Sequence, residues 1–239
     1  MTIESTKIQS FIAISDIISL LNMSSGFISI ITAINHNFEL SAIFMIFAIM
    51  FDSVDGWVAR KLNRDDSLGF GQNIDSLSDV VSFGVAPAVF LYTTTSPQSG
   101  IMQIIVILVS LFIVICGILR LTRYNVIADH IKTSGFVGFP IPGIAMILAT
   151  FYLSGFYNTF LALILCVLIS LMMISNVKYP KFDNMPILGI SCILILLIVL
   201  QIKIVIFQIN LPATILLLFC LYYLLINLVE KWDWTAPIN

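Results

Sequence analysis

Long apolar stretches recur along the whole chain and are separated by short polar connections. A helix of about 20 mostly apolar residues spans the hydrocarbon core of a bilayer, so this pattern predicts transmembrane helices. Strands of a membrane barrel would instead alternate apolar and polar positions, and no segment of the sequence does so. We predict eight spans, at roughly 15–34, 39–61, 73–95, 101–122, 139–155, 157–175, 186–206 and 209–229.

The predicted fold class is all-α, a polytopic membrane helix bundle in which the whole chain, 1–239, forms one domain. Composition agrees, because 59% of the residues are hydrophobic and only 10% are charged, whereas about a quarter are charged in soluble domains. The net charge of −2 provides no basic field that would attract nucleic acid. The four cysteines lie far apart in apolar runs, so we expect small buried hydrophobes rather than disulfides or metal ligands.

The basic residues predict how the helices are oriented. Ten of the eleven lysines and arginines fall on one face of the predicted bundle, and Lys203 falls on the other. Because positive residues are enriched on the cytoplasmic side, we expect a cell-membrane protein with both termini in the cytoplasm. The longest polar connections, 62–73 and 125–138, would then also be cytoplasmic. The ten residues are Lys7, Arg60, Lys61, Arg64, Arg120, Arg123, Lys132, Lys178, Lys181 and Lys231.

Four aspartates lie at the cytoplasmic ends of the second and third spans. Asp52 and Asp55 are three residues apart, and Asp75 and Asp79 are four apart, so each pair shares one helical face. The short loop between the spans makes them antiparallel neighbours, and we expect the pairs to face each other. Four carboxylates near a membrane need neutralising, and oxygen ligands favour hard cations such as Mg²⁺, Mn²⁺ or Ca²⁺. Two such ions about 3.5–4 Å apart form the usual clamp for phosphoryl transfer.

Small residues accompany the aspartates. Gly56 and Ala59 follow the first pair, and Gly71 precedes the second, so a ligand can approach the backbone closely. Arg60 lies one turn after Gly56, where its guanidinium could meet a phosphate. A single aspartate in a membrane can simply pair with an arginine. Four at this spacing, interleaved with small residues, predict a metal site instead.

These residues carry a resemblance to a known family. The pattern D-x-x-D-G-x-x-A-R followed by G-x-x-x-D-x-x-x-D resembles the signature of the CDP-alcohol phosphotransferases, with a slightly longer stretch than usual between Arg60 and Gly71. The segments SLLNMSSG, SFGVAPA, CGILRLTRYN and GFVGFPIPG resemble the phosphatidylserine synthase branch, which includes archaetidylserine synthases. The similarity covers a motif core at 15–155, so the helices at about 157–229 are expected to be accessory.

The resemblance implies a homodimeric transferase with a six-helix catalytic core. Its substrates would be L-serine and a CDP-lipid, either CDP-diacylglycerol or CDP-archaeol, and CMP would be released. Two divalent ions, Mg²⁺ or Mn²⁺, are implied as cofactors. By resemblance Asp52, Asp55 and Asp75 bind metal, while Asp79 both touches a metal and acts as the catalytic base. The residues expected to bind the CDP-lipid are Gly56, Ala59, Arg60 and Gly71.

Three further polar residues are candidates for substrate binding. Arg120 and Arg123 end the fourth span on the same face as the aspartates, and they could hold a lipid phosphate or the serine carboxylate. The alternative is an anchor that binds lipid headgroups on the positive side of the membrane. Ser82 is a weaker candidate, because serine in a membrane helix usually serves packing.

Two other functions fit parts of the pattern. The same chemistry could use glycerol phosphate or inositol phosphate as the acceptor, but phosphorylated acceptors need a denser basic pocket than this chain offers. A cation transporter could use intramembrane aspartates as an ion path. Against this, all four aspartates lie at one end of the bundle, and none lies deeper to continue a route.

Overall fold

A computed structural model of the protein describes residues 8, 11–62, 69–95, 100–128, 135–180 and 185–230. These residues are mostly helical, and each predicted span corresponds to a helix or to a continuous helical stretch. The helices are α1 (Ile14–Ile34), α2 (Phe38–Lys61), α3 (Phe70–Asp79), α4 (Ala86–Thr95), α5 (Ile101–Ala128), α6 (Pro142–Leu153), α7 (Thr159–Ile174), α8 (Met185–Val199) and α9 (Leu211–Glu230).

The helices fall into two length classes. Four stretches are long and apolar enough to cross a membrane, and the third of them, Phe70–Thr95, joins α3 and α4 through a π-helical segment, Val80–Val85. The other four, from α6 to α9, contain shorter apolar stretches. The prediction of an all-α membrane bundle is therefore confirmed. The fourth span is longer than predicted, because α5 continues to Ala128.

The seventh predicted span ends early. Helix α8 stops at Val199, and Gln201 adopts a left-handed φ of 55°. The amide of Ile202 then donates to the carbonyl of Leu197 (2.9 Å) and that of Gln201 to Ile198 (3.0 Å), which is the Schellman pattern of a helix C-terminus. Beyond it two short strands pair antiparallel, β3 (Val205–Ile206) with β4 (Ile209–Asn210). The seventh span was predicted to continue through this turn because hydropathy alone does not detect it.

A second short ladder connects two loops at the opposite end of the bundle. Strand β1 (Gly135–Val137) pairs antiparallel with β2 (Lys178–Pro180), and Phe136 lies opposite Tyr179. The Tyr179 side chain is fully buried, and its hydroxyl donates to the carbonyl of Leu224 in α9 (3.1 Å). This ladder therefore joins the connections on either side of α6 and α7 to the last helix.

Helix α1 buries its polar face and exposes its apolar one. Large apolar side chains such as Ile17, Leu20 and Phe27 are exposed, as expected of a surface that contacts lipid tails. Lipid supplies no hydrophobic drive between helices, so small and polar residues mediate the contact with α2, α3 and α4. The buried residues of α1 are Ser15, Asp16, Ser19, Asn22, Ser25, Gly26, Ser29 and Ala33.

Helix α6 forms the centre of the bundle. All eight residues from Ile144 to Phe151 are buried, and the helix packs against α2, α4, α7 and α9. The helices that are expected from the sequence to be accessory pack partly on this central helix, since α7 and α9 contact α6, and α8 contacts α9 and α2.

One ion pair marks the end of the bundle opposite the aspartates. Lys203 Nζ lies 2.6 Å from Glu39 Oε1 at the start of α2, whereas Arg60 lies at the other end of that helix. This geometry agrees with the separation of Lys203 from the other basic residues. Five residues used in the orientation argument lie outside the described ranges: Lys7, Arg64, Lys132, Lys181 and Lys231.

Candidate active site

The two aspartate pairs meet between α2 and α3. Asp52, Asp55 and Asp75 each contribute one carboxylate oxygen to a group in which all three oxygens lie within 4.8 Å of one another. Asp79 stands beside this group, with its carboxyl group next to that of Asp52. Acidic residues three and four apart on the two helices thus bring four carboxyl groups into one small volume, as the spacing predicts.

The burial of this acidic group fits a hard divalent cation. Asp55 is only 5% exposed and Asp79 only 6%, so water screens their charges weakly. Oδ1 of Asp75 is buried and has no hydrogen-bond partner among the described residues. A buried acceptor without a partner is costly, and a cation would satisfy it. Carboxylate oxygens are also the ligands that Mg²⁺, Mn²⁺ and Ca²⁺ prefer.

Arg120 is the basic residue that faces the aspartates. It extends from α5, is 6% exposed, and interacts electrostatically with Asp79 and Asp52. Its guanidinium carbon lies 5.2 Å from the centre of the Tyr124 ring, a cation–π distance that holds the side chain in place. Within the described part of the chain Nε of Arg120 is buried and unpartnered. This residue thus supplies a counter-charge and one free donor.

Arg123 binds the protein backbone instead. Its guanidinium nitrogens donate to the carbonyls of Ile174 (3.0 Å), Met173 (2.8 Å) and Val137 (3.1 Å). Gly138, at a left-handed φ of 80°, permits this approach, because a Cβ there would collide with the Met173 carbonyl and the Arg123 guanidinium. These contacts favour a structural role, in which Arg123 ties α5 to the end of β1 and to the end of α7. The sequence had instead led us to expect that Arg123 binds substrate.

Helix α1 adds two contacts to the acidic group that the sequence interpretation missed. Ser19 Oγ donates to Asp55 Oδ2 (2.7 Å), and Asn22 Nδ2 donates to Asp79 Oδ1 (3.1 Å). One signal could have identified them: Asp16, Ser19, Asn22 and Ser25 recur every third residue in a predicted membrane span. Asp16 itself accepts from the amide of Ala13 (2.9 Å) and so caps the helix start.

Ser82 is occupied by helix packing. Its hydroxyl is fully buried and donates to the backbone carbonyl of Asn22 (3.0 Å). Gly26 lies against it, since a Cβ on Gly26 would stand 2.5 Å from Ser82 Cα. The serine therefore fixes the π-helical segment to α1 at the level of Asn22, and its expected contact with substrate remains a prediction.

The small residues of the motif lie at the helix ends that carry the aspartates. Gly56 and Ala59 are half-buried on α2, and Gly71 is buried in the first turn of α3. The exposed Arg60 side chain folds along α2, and its guanidinium is 3.5 Å from where a Cβ on Gly56 would stand. Helix α3 starts after Gly69, whose left-handed φ of 67° sets the angle at which the chain enters.

Four carboxyl groups, two of them buried, converge at one end of a bundle of membrane-crossing helices and define an integral membrane protein with an acidic centre suited to divalent cations. A buried arginine beside them suits an anionic substrate. Residues 12–175 match the family model described as CDP-alcohol phosphatidyltransferase, and the chain belongs to this family of transferases. Members of the family generally depend on divalent metal ions.

Curated relatives share most of their length with this chain. The archaetidylserine synthase of Methanothermobacter thermautotrophicus is 48% identical over 179 residues, which is 75% of this chain and 74% of the relative. The CDP-diacylglycerol–serine O-phosphatidyltransferase of Methanocaldococcus jannaschii is 38% identical over 179 residues (74% and 79%). The enzyme of the same name from Bacillus subtilis is 35% identical over 170 residues (70% and 89%).

Proposed function

We propose that the protein is a CDP-lipid–serine O-phosphatidyltransferase of the cell membrane. The observation that carries this proposal is the convergence of Asp52, Asp55 and Asp75, with Asp79 alongside, in a chain whose curated relatives are named for serine transfer. The acceptor is L-serine, the donor is CDP-archaeol or CDP-diacylglycerol, and the products are a serine phospholipid and CMP. The 48% identical relative is an archaetidylserine synthase, which supports the archaeol lipid.

The acidic residues would hold two divalent cations, Mg²⁺ or Mn²⁺, with Ca²⁺ as a further ion that such ligands bind. Asp52, Asp55 and Asp75 would be ligands, and Asp79 would be both ligand and base. When bound, these cations neutralise the pyrophosphate of the CDP-lipid and the charge that builds on the leaving phosphate.

Asp79 takes the proton from the serine hydroxyl. The serine oxygen then forms a bond to the phosphorus that carries the lipid, and the bond from this phosphorus to the phosphate of CMP breaks. Arg120, buried beside Asp79, holds an anionic group of the substrate, either the serine carboxylate or the lipid phosphate. Arg60, together with the small residues Gly56, Ala59 and Gly71, binds the CDP moiety.

The proposed orientation places this site and both termini in the cytoplasm, where the enzyme would meet CDP-lipid and serine. Lys203 pairs with Glu39 at the start of α2, whereas Arg60 lies at the other end of this helix, and this separation supports the orientation. We also propose a homodimer, as the family resemblance implies. Labelling of single cysteines from either side of sealed vesicles tests the orientation, and the mass of the detergent-solubilised protein tests the dimer.

The function is tested with radiolabelled L-serine and the purified protein. CDP-archaeol and CDP-diacylglycerol are supplied in separate reactions, and the product lipid is identified together with released CMP. We expect serine-dependent CMP release with at least one lipid. Glycerol phosphate and inositol phosphate are tested in parallel, and CMP release with either of these but not with serine would overturn the proposal.

A further inference from the structure

Asn22 holds the proposed base with one half of its amide and leaves the other half free. Nδ2 donates to Asp79 Oδ1 (3.1 Å), while Oδ1 of the same amide is buried with no hydrogen-bond partner in the part of the chain that the structure describes. The side chain is fully buried. Because both atoms share one carbon, the free acceptor lies within a few ångströms of the Asp79 carboxylate.

The free acceptor cannot be removed by a local rearrangement. Turning the amide over would place its oxygen against a carboxylate oxygen, so that two acceptors faced each other. Moving the residue is also resisted, because Ser82 Oγ binds the backbone carbonyl of Asn22 (3.0 Å) and Gly26 packs against Ser82. Buried polar atoms without partners are rare and costly. A ligand group that donates a hydrogen bond would satisfy this one.

A second free polar group belongs to Arg120, a residue that interacts electrostatically with Asp79. Arg120, which faces Asp79 from α5, carries a buried donor at Nε that has no partner among the described residues. The two residues that interact with the proposed base thus carry one free acceptor and one free donor. An acceptor substrate that brings its hydroxyl to Asp79 would meet both, and a hydroxy amino acid carries the matching ammonium and carboxylate on the neighbouring carbon.

We propose that Asn22 Oδ1 accepts a hydrogen bond from the ammonium group of the amino-acid acceptor, which makes Asn22 a specificity-determining residue. This assignment rests on the proposed function. Through Nδ2 the same residue also positions Asp79. Asn22 thereby selects acceptors that carry a hydroxyl and an ammonium on adjacent carbons, and it disfavours hydroxy acids that lack the amine, because these would leave Oδ1 buried and unpaired.

The test compares L-serine with 3-hydroxypropionate, which keeps the hydroxyl and carboxylate but lacks the amine. CMP release is measured for the wild type, Asn22→Leu and Asn22→Asp, and both substitutions keep a branched side chain with the same number of heavy atoms. In Asn22→Leu we expect the ratio of kcat/KM for serine over 3-hydroxypropionate to fall roughly ten- to hundredfold, the range for one hydrogen bond to a charged group. In Asn22→Asp an acceptor oxygen remains and carries more negative charge, so the ratio should not fall, while kcat falls with the lost donor to Asp79.

Ser24→Ala is the matched control, because Ser24 is an exposed residue of the same helix, two residues from Asn22, and its hydroxyl donates to the carbonyl of Leu20 within that helix (2.7 Å). It should keep both the wild-type ratio and kcat. Equal losses for the two acceptors in Asn22→Leu would assign Asn22 to positioning alone and overturn the proposal. A wild type that releases no CMP with serine would overturn the proposed function, and this assignment with it.

Discussion

The contact between Gly26 and Ser82 allows a quantitative test of how α1 is fixed. A Cβ on Gly26 would lie 2.5 Å from Ser82 Cα and 2.8 Å from Ser82 Cβ. Both distances are too short for real contacts, and the nearer atom belongs to the backbone, so no rotamer change relieves the clash. Overpacking of this kind costs about 1–3 kcal/mol. Gly26→Ala should therefore push α1 away from the π-helical segment.

Gly84→Ala provides the reference, because a Cβ at Gly84, in the π-helical segment, would meet nothing within 4 Å. Both substitutions place alanine in helical backbone, where it is favoured over glycine by about 1 kcal/mol. The difference between the two variants isolates the clash. For a chain of this size 1 kcal/mol corresponds to about 2–4 °C, so Gly26→Ala should unfold about 2–12 °C below Gly84→Ala.

The assay is thermal unfolding of the purified protein in one detergent, followed by CMP release well below both midpoints. Turnover should fall in Gly26→Ala, because Ser82 binds the carbonyl of Asn22 and the Asn22 amide binds Asp79. Gly84→Ala should keep wild-type turnover. Equal midpoints and equal turnover in the two variants would refute the close approach of α1 to Ser82.

Further predictions concern the acidic site, the Arg123 contacts and the remote ion pair. Asp75→Asn should abolish CMP release while the folded membrane protein remains, since one of three converging carboxylates is lost; normal turnover would contradict the metal assignment. EDTA should stop the reaction and Mg²⁺ or Mn²⁺ should restore it, so metal-independent CMP release would oppose it. Arg123→Gln should lower the free energy of unfolding by about 2–5 kcal/mol, because charge-assisted bonds to three carbonyls are lost. The KM for serine should not change. A raised KM in a variant that stays stable would indicate that Arg123 binds substrate. Glu39→Gln should change the free energy of unfolding by less than about 1 kcal/mol, since the ion pair with Lys203 is half exposed. A drop in the thermal unfolding midpoint that corresponds to a larger loss would contradict this expectation.

The parts of the structure that follow from local rules were predicted from the sequence. Apolar length defined the spans, and the three- and four-residue spacing of the aspartates indicated that Asp52, Asp55 and Asp75 would converge. Both rules act within one helix or between two helices joined by a short loop. The early end of α8 was missed, because the left-handed turn at Gln201 lies inside an apolar run that hydropathy cannot divide.

The missed contacts depend on helices distant in sequence. Ser19 is 36 residues from Asp55, and Asn22 is 57 residues from Asp79, so the three-residue period in α1 can mark these side chains but cannot identify their partners. Arg123 was assigned to the aspartate face because it shares a helix end with Arg120. Three residues apart on α5, the two side chains diverge enough that one faces Asp79 and the other reaches the carbonyls of Met173 and Ile174.

The polar face of α1 joins helix packing to the acidic centre. In lipid, helices associate through small and polar residues, and here Ser29 binds Ser41 in α2 while Gly26 packs on Ser82. Further along the same face, Ser19 and Asn22 bind the carboxyl groups of the candidate site. One surface therefore both docks the helix and sets the position of the proposed base. A substitution that shifts α1 without touching any aspartate should therefore reduce turnover before it unfolds the protein.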